Sequence, residues 1–325
     1  MVRQPLGADT TQILETNMSK TVGFIGLGNM GMPMAEQLMN AGYTVQALDL
    51  SKALQARATE LGAHVKDSIA ATAKGADMVI TMLPAGSHVR QVYLGDGGLV
   101  ESAAPGTLLI DSSTIDVDTS REVGAASVAK GLEMIDAPVT GGVMAARIGK
   151  LNFIVGGTEA SFERARPYLE IMGGKLLYAG EQGSGIGVKI CNNMSLGISM
   201  IAAAETLMLA KRLGLDLERT YEIITNASGQ NWALSNYCPV PGLLDGVPST
   251  NGYKPGFSGA MMRKDLRLSQ DAALSVNAVT PLAAHAMAIF SHFCDSGHAE
   301  MDYSGISKLI GGDAWDYEVD PSVLG

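Results

Sequence analysis

The residues with the clearest chemical potential lie in the segment from Gly187 to Asn193, GVKICNN. Lys189 is an ionisable residue in an apolar, helix-forming stretch, and burial of an ammonium without a partner is costly. Asn192 and Asn193 follow at i+3 and i+4, which places them on the same helix face. The spacing predicts a proton-transfer group and an amide in one shared pocket. It is equally compatible with a lysine that extends into solvent from the first helical turn.

A second chemical pattern is the glycine-rich segment that follows the first apolar run. Gly26, Gly28 and Gly31 have GxGxxG spacing, and Asp49 ends the second apolar run, 18 residues past Gly31. In a dinucleotide site these glycines permit a tight turn, close approach of a pyrophosphate and packing of the helix on the strand. The helix N-terminus favours phosphates. The pattern therefore predicts NAD binding by Gly26, Leu27, Gly28, Asn29, Met30, Gly31 and Asp49.

Each part of that motif has a simpler interpretation. A glycine-rich turn can exist without a ligand, since the chain contains 39 glycines in 325 residues. Asp49 is expected to accept hydrogen bonds from the adenosine ribose hydroxyls, which would disfavour the 2′-phosphate of NADP. The simpler interpretation is that Asp49 only caps a helix that begins near Ser51.

Other candidate residues lie in loops after apolar runs. Ser113 and Thr114 could bind substrate or cofactor, or one of them could cap the helix predicted over residues 116–130. Gly141 and Gly142 would expose backbone N–H groups to a carboxylate, or merely form a turn. Trp232 lies before a proline-rich loop, where its ring could close a pocket or simply pack.

Lys264 and Asp265 lie in MMRKDL, on a helix whose other face is apolar. A solvated charged face is the simplest interpretation of such a pair. None of the five histidines has metal-ligand spacing, so we predict no metal.

The elements that must position these residues change character near residue 185. Before it, short apolar runs alternate with helical patterns, which favours a Rossmann-type, doubly wound, mostly parallel sheet. After it the pattern is all-helical, starting with a proline-free stretch over residues 186–213. We therefore predict an α/β fold with a dinucleotide-binding domain at 21–185, a helical substrate and oligomerisation domain at 186–312, and tails at 1–20 and 313–325. The predicted strands are 22–25, 44–48, 77–83, 107–110, 132–135, 152–155 and 175–178.

The composition of the chain argues against nucleic-acid and membrane partners. The chain is 46% hydrophobic and 17% charged, with a formal net charge of −10. It can bury a large core, and its charge argues against nucleic acid. Three scattered cysteines without CxxC spacing indicate reduced thiols. The uncharged stretch over residues 272–294 is interrupted by polar residues, so we expect a buried helix and no membrane partner.

Five motifs in order resemble the β-hydroxyacid dehydrogenase family. They are FIGLGNMGMPMA at 24–35, DSSTID at 111–116, DAPVTGGVMAAR at 136–147, GVKICNN at 187–193 and KDL at 264–266. The resemblance covers residues 21–312. Two departures, Gln37 after the glycine motif and Thr140 before the glycine pair, remove no catalytic group.

The resemblance implies roles for the candidate residues. Lys189 would be catalytic, with Asn193 as its helper. The substrate carboxylate and hydroxyl would be held by Ser113, Gly141 and Gly142. Trp232, which is a candidate from its place in the sequence alone, is predicted to bind substrate as well. The NAD site would be lined by Leu83, Pro84, Thr114 and Lys264, the last near the nicotinamide.

The implied reaction is oxidation of a small hydroxy-carboxylate with NAD. The loop over residues 238–249, CPVPGLLDGVPS, is similar to that of members acting on 3-hydroxyisobutyrate, which would place the chain in valine breakdown. The competing hypotheses are a tartronate or succinate semialdehyde reductase and a non-catalytic NAD-binding scaffold. We expect a homodimer or homotetramer in the cytoplasm, or in the mitochondrial matrix if the source is eukaryotic.

Overall fold

The computed structural model describes residues 20–312. These residues form two compact units, which divide between Lys189 and Ile190. The sequence-based division after residue 185 lies four residues earlier. Apart from Lys20, the predicted tails lie outside the described range.

The first unit contains, among the described residues, a nine-stranded sheet. Its strand order is β3-β2-β1-β4-β5-β6-β8-β7, with β9 paired to β8. Strands β1 to β6 pair in parallel, β8 is antiparallel to β6 and β7, and β9 is parallel to β8. The strands are β1 Thr21–Ile25, β2 Thr44–Leu48, β3 His64–Val65, β4 Met78–Thr81, β5 Leu108–Asp111, β6 Glu133–Asp136, β7 Val139–Thr140, β8 Leu151–Gly156 and β9 Gly173–Gly180.

The predicted fold class, a Rossmann-type sheet followed by a helical region, is confirmed. Each of the seven predicted strands corresponds to an observed one, with ends that differ by a few residues. Strands β3 and β7 were not predicted. Both are two residues long, which is too short to show an alternating pattern.

Four of the described helices in the first unit begin at a polar side-chain cap. Ser51, Ser68, Asp116 and Thr158 each accept a hydrogen bond from the backbone N–H three residues on. The helix that follows Ser113 and Thr114 is therefore capped by Asp116, and the interpretation of either as its cap is wrong. The helices are α1 Gly31–Asn40, α2 Lys52–Glu60, α3 Ile69–Ala73, α4 Gly86–Leu94, α5 Leu99–Ser102, α6 Val117–Ala129, α7 Gly142–Arg147 and α8 Glu159–Met172.

The core of the first unit lies along its central strands. Every residue of β4 and β5 is buried, as expected for parallel strands covered on both faces. Phe24, Ile80 and Ile110 from three adjacent strands belong to one buried cluster with Met34 and Leu38 of α1. Because side chains on both faces are fixed, the strand ends are rigid platforms for the loops that follow them.

Helix α9, Ser184–Arg212, begins in the first unit and continues into the second. By length and composition it could span a membrane, with a mean hydropathy of 1.3 over its best 18-residue window. Within the protein 44% of that window is buried. The core helix of a folded protein has the same properties.

The second unit is helical, as predicted. After α9 it contains α10 Leu217–Thr225, α11 Trp232–Asn236, α12 Gly259–Ser275, α13 Pro281–Phe293 and α14 Ile306–Gly311, with 3-10 turns at Pro248–Thr250 and Tyr303–Gly305 and a π turn at Cys294–His298. Its main core contains Met200, Leu266, Phe290 and Phe293. A Cβ at Gly197 would lie 3.0 Å from the Met262 sulfur, so α9 packs closely against α12 at this glycine.

The buried Asp302 organises the aromatic side of this unit. Its Oδ2 accepts hydrogen bonds from the Tyr237 hydroxyl and from the N–H groups of Gly256 and Phe257. Its Oδ1 accepts from the N–H and hydroxyl of Ser304. These contacts join the loop before α12 to the chain segment that precedes α14.

Candidate active site

The glycine-rich loop joins β1 to α1 through positions that only glycine suits. Gly26 has φ +95°, and a Cβ there would collide with the Met82 carbonyl. A Cβ at Gly31 would collide with the Gly26 carbonyl, so α1 packs directly on the loop. The outer side of the loop is open, since a Cβ at Gly28 would have no heavy atom within 4 Å.

Asp49 ties this loop to the end of β2. Its Oδ2 accepts a hydrogen bond from the Leu27 N–H at 2.7 Å, and its Oδ1 accepts one from the Ser51 N–H at 2.8 Å. The Ser51 hydroxyl accepts from Leu54 and is the cap of α2, so the interpretation of Asp49 as only a cap is wrong. Each Asp49 oxygen keeps a second lone pair for an incoming hydroxyl.

A buried polar network lies at the ends of β4 and β5. The Asp111 Oδ1 accepts hydrogen bonds from the Thr81 hydroxyl at 2.8 Å, the Ser113 hydroxyl at 2.5 Å and the Ser113 N–H at 3.1 Å. The Ser113 oxygen in turn accepts from the Leu83 N–H at 2.8 Å. The Ser113 hydroxyl thus uses its one hydrogen within the protein, and it fixes the backbone of the loop after β4.

The network is electrostatically costly for Asp111. Burial raises the pKa of Asp111 from its ordinary value of 3.8 to about 6, although the hydrogen bonds from Ser113 and Thr81 act in the opposite direction. The nearby Asp136 carboxylate adds to the increase. The second oxygen of Asp111 is buried and has no hydrogen-bond partner within residues 20–312.

The other loop residues predicted for the site lie at the same edge of the sheet. Pro84 is exposed and Thr114 half-buried, each in the loop that follows a parallel strand. Gly141 and Gly142 have φ of +117° and +67°, a backbone that side chains other than glycine rarely adopt. Gly141 is exposed, so its backbone is accessible.

Lys189 is only 7% exposed, although its neighbour Val188 is exposed. The interpretation in which the lysine extends into solvent is therefore wrong. A buried ammonium or amine in the second turn of a helix is unusual, because charge burial is costly. Lys189 therefore stays a candidate for chemistry.

Asn193, in the second unit, is held from both sides. It is 2% exposed, its Nδ2 donates to the Asp265 Oδ2 at 2.5 Å, and its Oδ1 accepts from Asn192 at 2.9 Å. Lys264 lies 3.5 Å from the other Asp265 oxygen. Asp265 is 3% exposed, so the solvated-face interpretation is wrong for this residue. The second unit thus joins Asn193 and Lys264 through Asp265.

Trp232 lies at the start of α11 and is 54% exposed. Its ring stacks on Tyr237, with centroids 5.6 Å apart. Tyr237 is held by Asp302, so one face of the indole is fixed and the rest is accessible.

The first unit fits a bound dinucleotide. The glycine loop is open at Gly28, no side chain caps α1, and its first turn carries no acidic residue. Those N–H groups suit a pyrophosphate. The Asp49 carboxylate at the neighbouring strand end suits ribose hydroxyls. The part of the chain that the structure describes contains no cluster of three His, Cys, Asp or Glu side chains that could hold a metal ion.

Comparison with known proteins gives a consistent result. Residues 21–180 match the family described as NAD binding domain of 6-phosphogluconate dehydrogenase, and residues 183–310 match NAD-binding of NADP-dependent 3-hydroxyisobutyrate dehydrogenase. The chain is 48% identical over 293 residues to 3-hydroxyisobutyrate dehydrogenase of Pseudomonas aeruginosa, covering 90% of this chain and 98% of the relative.

Two further relatives involve serine. NAD-dependent L-serine dehydrogenase of Pseudomonas aeruginosa is 41% identical over 291 residues, covering 90% and 98% of the two chains. The solved structure of Mycobacterium tuberculosis 3-hydroxyisobutyrate dehydrogenase with L-serine is 43% identical with a TM-score of 0.86, covering 90% and 99%.

Asp111 and Asp136 were not among the residues predicted for the site, and Asp265 was predicted to lie on a solvated charged face. Asp111 and Asp136 each end a buried strand, and Asp265 follows Lys264 on an otherwise apolar helix face. An acidic residue directly after a run of buried β-residues was the available signal. Its partner could not be known before the strand order.

The Asp111 network predicts a specific pH dependence of stability. Between about pH 4 and pH 6 the folded chain retains the Asp111 proton that the unfolded chain has lost, so stability falls as pH rises. The interval from 3.8 to about 6 corresponds to about 3 kcal/mol. The unfolding free energy of the natural chain, relative to Asp111→Asn, should fall by up to that amount from pH 4 to pH 7.

Urea unfolding of both chains at a series of pH values, followed by circular dichroism, measures this difference. Asp96→Asn, at an exposed aspartate, is the matched control. Its unfolding free energy should change with pH in parallel with that of the natural chain. If the unfolding free energies of the natural chain and of Asp111→Asn changed in parallel with pH, the Asp111 carboxyl would titrate normally.

Proposed function

Since the chain belongs to the β-hydroxyacid dehydrogenase family and is an NAD-dependent enzyme, we propose that it oxidises (S)-3-hydroxyisobutyrate to methylmalonate semialdehyde. The observation that supports this substrate is the 48% identity, over nearly the whole of both chains, to a 3-hydroxyisobutyrate dehydrogenase. The reaction would serve valine breakdown.

The proposed chemistry centres on Lys189. Oxidation of an alcohol removes a proton from the hydroxyl oxygen and a hydride from the carbon. When bound, NAD supplies the hydride acceptor. As the neutral amine, the buried Lys189 Nζ would take the hydroxyl proton while the hydride leaves, and the ammonium that forms would stabilise the negative charge developing on the oxygen. Asn193 follows Lys189 by four residues on α9, and Asp265 fixes its amide, which suits a residue that orients and does not ionise.

The remaining roles follow the resemblance. The N–H groups of Gly141 and Gly142 would receive the substrate carboxylate. Trp232, which was predicted from the sequence and not from the resemblance, would also contact substrate. Ser113 donates its hydrogen to Asp111 and so would meet a substrate hydroxyl through its free lone pair. Leu83, Pro84, Thr114 and Lys264 would contact the cofactor.

We further propose a homodimer or homotetramer in the cytoplasm. Leu209, Leu213 and Leu215 are exposed apolar residues in the second unit, which a second subunit would cover. Free thiols at Cys191, Cys238 and Cys294 suit a reducing compartment.

L-serine is a second candidate substrate. Serine is also a 3-hydroxy acid, and both a dehydrogenase named for it and a solved relative containing it are similar to this chain over most of its length. Reduction of tartronate or succinate semialdehyde would be a third activity of the same site. An NAD-binding scaffold without turnover is the hypothesis of a different class.

A substrate panel tests the proposal. We expect kcat/KM for (S)-3-hydroxyisobutyrate to exceed that for L-serine, and the reverse-direction value for methylmalonate semialdehyde to exceed those for tartronate and succinate semialdehyde. Initial rates of NADH formation or consumption at 340 nm supply the values. A higher value for L-serine would assign the serine activity instead, and NAD binding without any turnover would identify a scaffold.

Lys189→Ala should lower kcat by at least ~10²-fold, the scale of a positioned proton-transfer group. Affinity for NADH, measured by its fluorescence on binding, should change little because the lysine acts on substrate. Asn193→Ala should cause a smaller loss, and exposed Lys130→Ala is the control. Activity above a few per cent in the Lys189 variant would place the chemistry elsewhere.

Asp49 predicts a preference for NAD over NADP. A like-charge pair at about 4 Å and an effective dielectric near 20 costs about 4 kcal/mol before screening. A third of that is about tenfold in affinity. Nearby Lys52 donates to Gln55 at 3.1 Å, and Gln55 donates to the Asp49 carbonyl, so this lysine already has a partner in the chain.

We expect NAD to be used at least ~10-fold better than NADP by kcat/KM. Asp49→Ser should reduce that ratio, and should also weaken NAD use because the Leu27 N–H loses its acceptor. Exposed Asp96→Ser carries the same charge change and should keep the ratio. Equal use of NADP by the natural chain would remove Asp49 from the ribose site.

A further inference from the structure

The first turn of α9 is attached to the sheet by a residue with no role in the reaction outlined above. Asp136 is the last residue of β6 and is fully buried. Its Oδ1 accepts a hydrogen bond from the Gly183 N–H at 2.6 Å, and its Oδ2 accepts one from the Ile186 N–H at 2.7 Å. Gly183 immediately precedes α9 and Ile186 lies in its first turn, so both donors are about 50 residues further along the chain.

The first N–H groups of a helix have no partner within the helix and must find one elsewhere. Four of the helices α1 to α8 are capped by a local side chain, such as Thr158 at the start of α8. At α9 the acceptor is instead a carboxylate from a central strand. Its negative charge also complements the positive end of the helix dipole. Asp136 therefore has two effects. It stabilises the first turn of α9, and it fixes the position of that turn relative to the sheet.

Two glycines allow this close approach. A Cβ at Gly156, the last residue of β8, would lie 2.5 Å from the Asp136 Oδ1 and 2.7 Å from the Gly185 nitrogen. A Cβ at Gly185 would lie 2.8 Å from the Asp136 Oδ2 and would collide with the Ile154 carbonyl. Because neither position has room for a methyl group, the helix backbone rests directly on β8.

Lys189 follows Ile186 by three residues, which is about one helical turn. Its backbone position is therefore determined by the turn that Asp136 holds. The chain leaving Asp136 reaches Gly141 and Gly142 within six residues. One strand end thus sets both the helix of the proposed catalytic lysine and the loop proposed to receive the substrate carboxylate.

We propose that Asp136, with Gly156 and Gly185 making room for it, is the residue that positions Lys189 for catalysis. The proposal rests on the proposed function of Lys189. Asp136 touches neither substrate nor cofactor in this role. It acts through the α9 backbone, and a misplacement of about 1 Å can cost on the order of 10²-fold in rate.

The kinetic test compares two variants of the full chain with the natural protein. Asp136→Asn keeps the size of the side chain but replaces one acceptor by a donor, and Gly185→Ala displaces the helix while leaving the carboxylate intact. We expect each to lower kcat by about 10- to 100-fold. The KM for NAD and the NADH affinity should change by less than about twofold, because the glycine loop is untouched.

Thr158→Ala is the matched control. It removes the cap of α8, a helix of the same unit that carries none of the proposed site residues. It should lower the melting temperature without lowering kcat. If Asp136→Asn and Gly185→Ala changed kcat no more than Thr158→Ala does, the positioning role would be refuted.

A second measurement does not depend on turnover. Competitive labelling of lysines with acetic anhydride, read by mass spectrometry on the chain without cofactor, reports the accessibility of Lys189. The rate at Lys189 relative to exposed Lys130 should rise several-fold in Asp136→Asn and Gly185→Ala, and should stay unchanged in Thr158→Ala. An unchanged rate in both variants, or an increase with normal kcat, would overturn the proposal.

The two proposals fail in different ways. If Lys189→Ala kept its activity, the proposed function of the lysine would fail, while the labelling rates would still report whether Asp136 holds the helix. If Lys189→Ala lost activity but the Asp136 and Gly185 variants kept theirs, only the positioning role would be lost.

Discussion

Carboxylates at the carboxyl ends of parallel strands hold the loops of the first unit together. Asp49 accepts the Leu27 N–H, Asp136 accepts N–H groups at the start of α9, and Asp111 reaches the Leu83 N–H through the Ser113 hydroxyl. Loops at this edge leave backbone donors without ladder partners, and such donors must be satisfied when buried. An ionised acceptor makes a stronger bond than a neutral one.

These contacts have an electrostatic cost that differs among the three residues. Asp49 is half-buried and keeps access to solvent, whereas Asp111 and Asp136 are fully buried. Burial raises the pKa of Asp136, and the N–H groups of Gly183 and Ile186 oppose that change. At Asp111 the hydrogen bonds from Ser113 and Thr81 do not offset burial. The unit therefore gives up some stability to hold these loops in one arrangement, as sites that need precise geometry often do.

In the second unit, too, buried carboxylates accept hydrogen bonds from distant chain segments. Asp302 gathers a tyrosine hydroxyl and several backbone N–H groups, and Asp265 fixes the amide of Asn193. In each case a buried carboxylate satisfies donors from distant segments. The Asn193 amide is thus held in one orientation by the Asp265 carboxylate, which limits the number of conformations available to this proposed catalytic residue.

The sequence alone determined the fold class, the family and the location of the glycine loop. These features are local: alternating apolar runs, helical periodicity, and glycine spacing whose conformational need is met within a few residues. Predicted strands such as 44–48 match the structure residue for residue. The family motifs also identified Lys189, and the structure shows that it is buried.

Only the tertiary structure decided which side chains those loops depend on. Asp136 and Ile186 are 50 residues apart, and Asn193 and Asp265 are 72 apart. No periodic pattern encodes such pairs, because they exist only once the strand order and helix packing bring their segments together. Burial likewise decided between a solvated and an enclosed side chain at Lys189 and Asp265, since solvent exposure is a property of everything that packs around a residue and not of its neighbours in sequence.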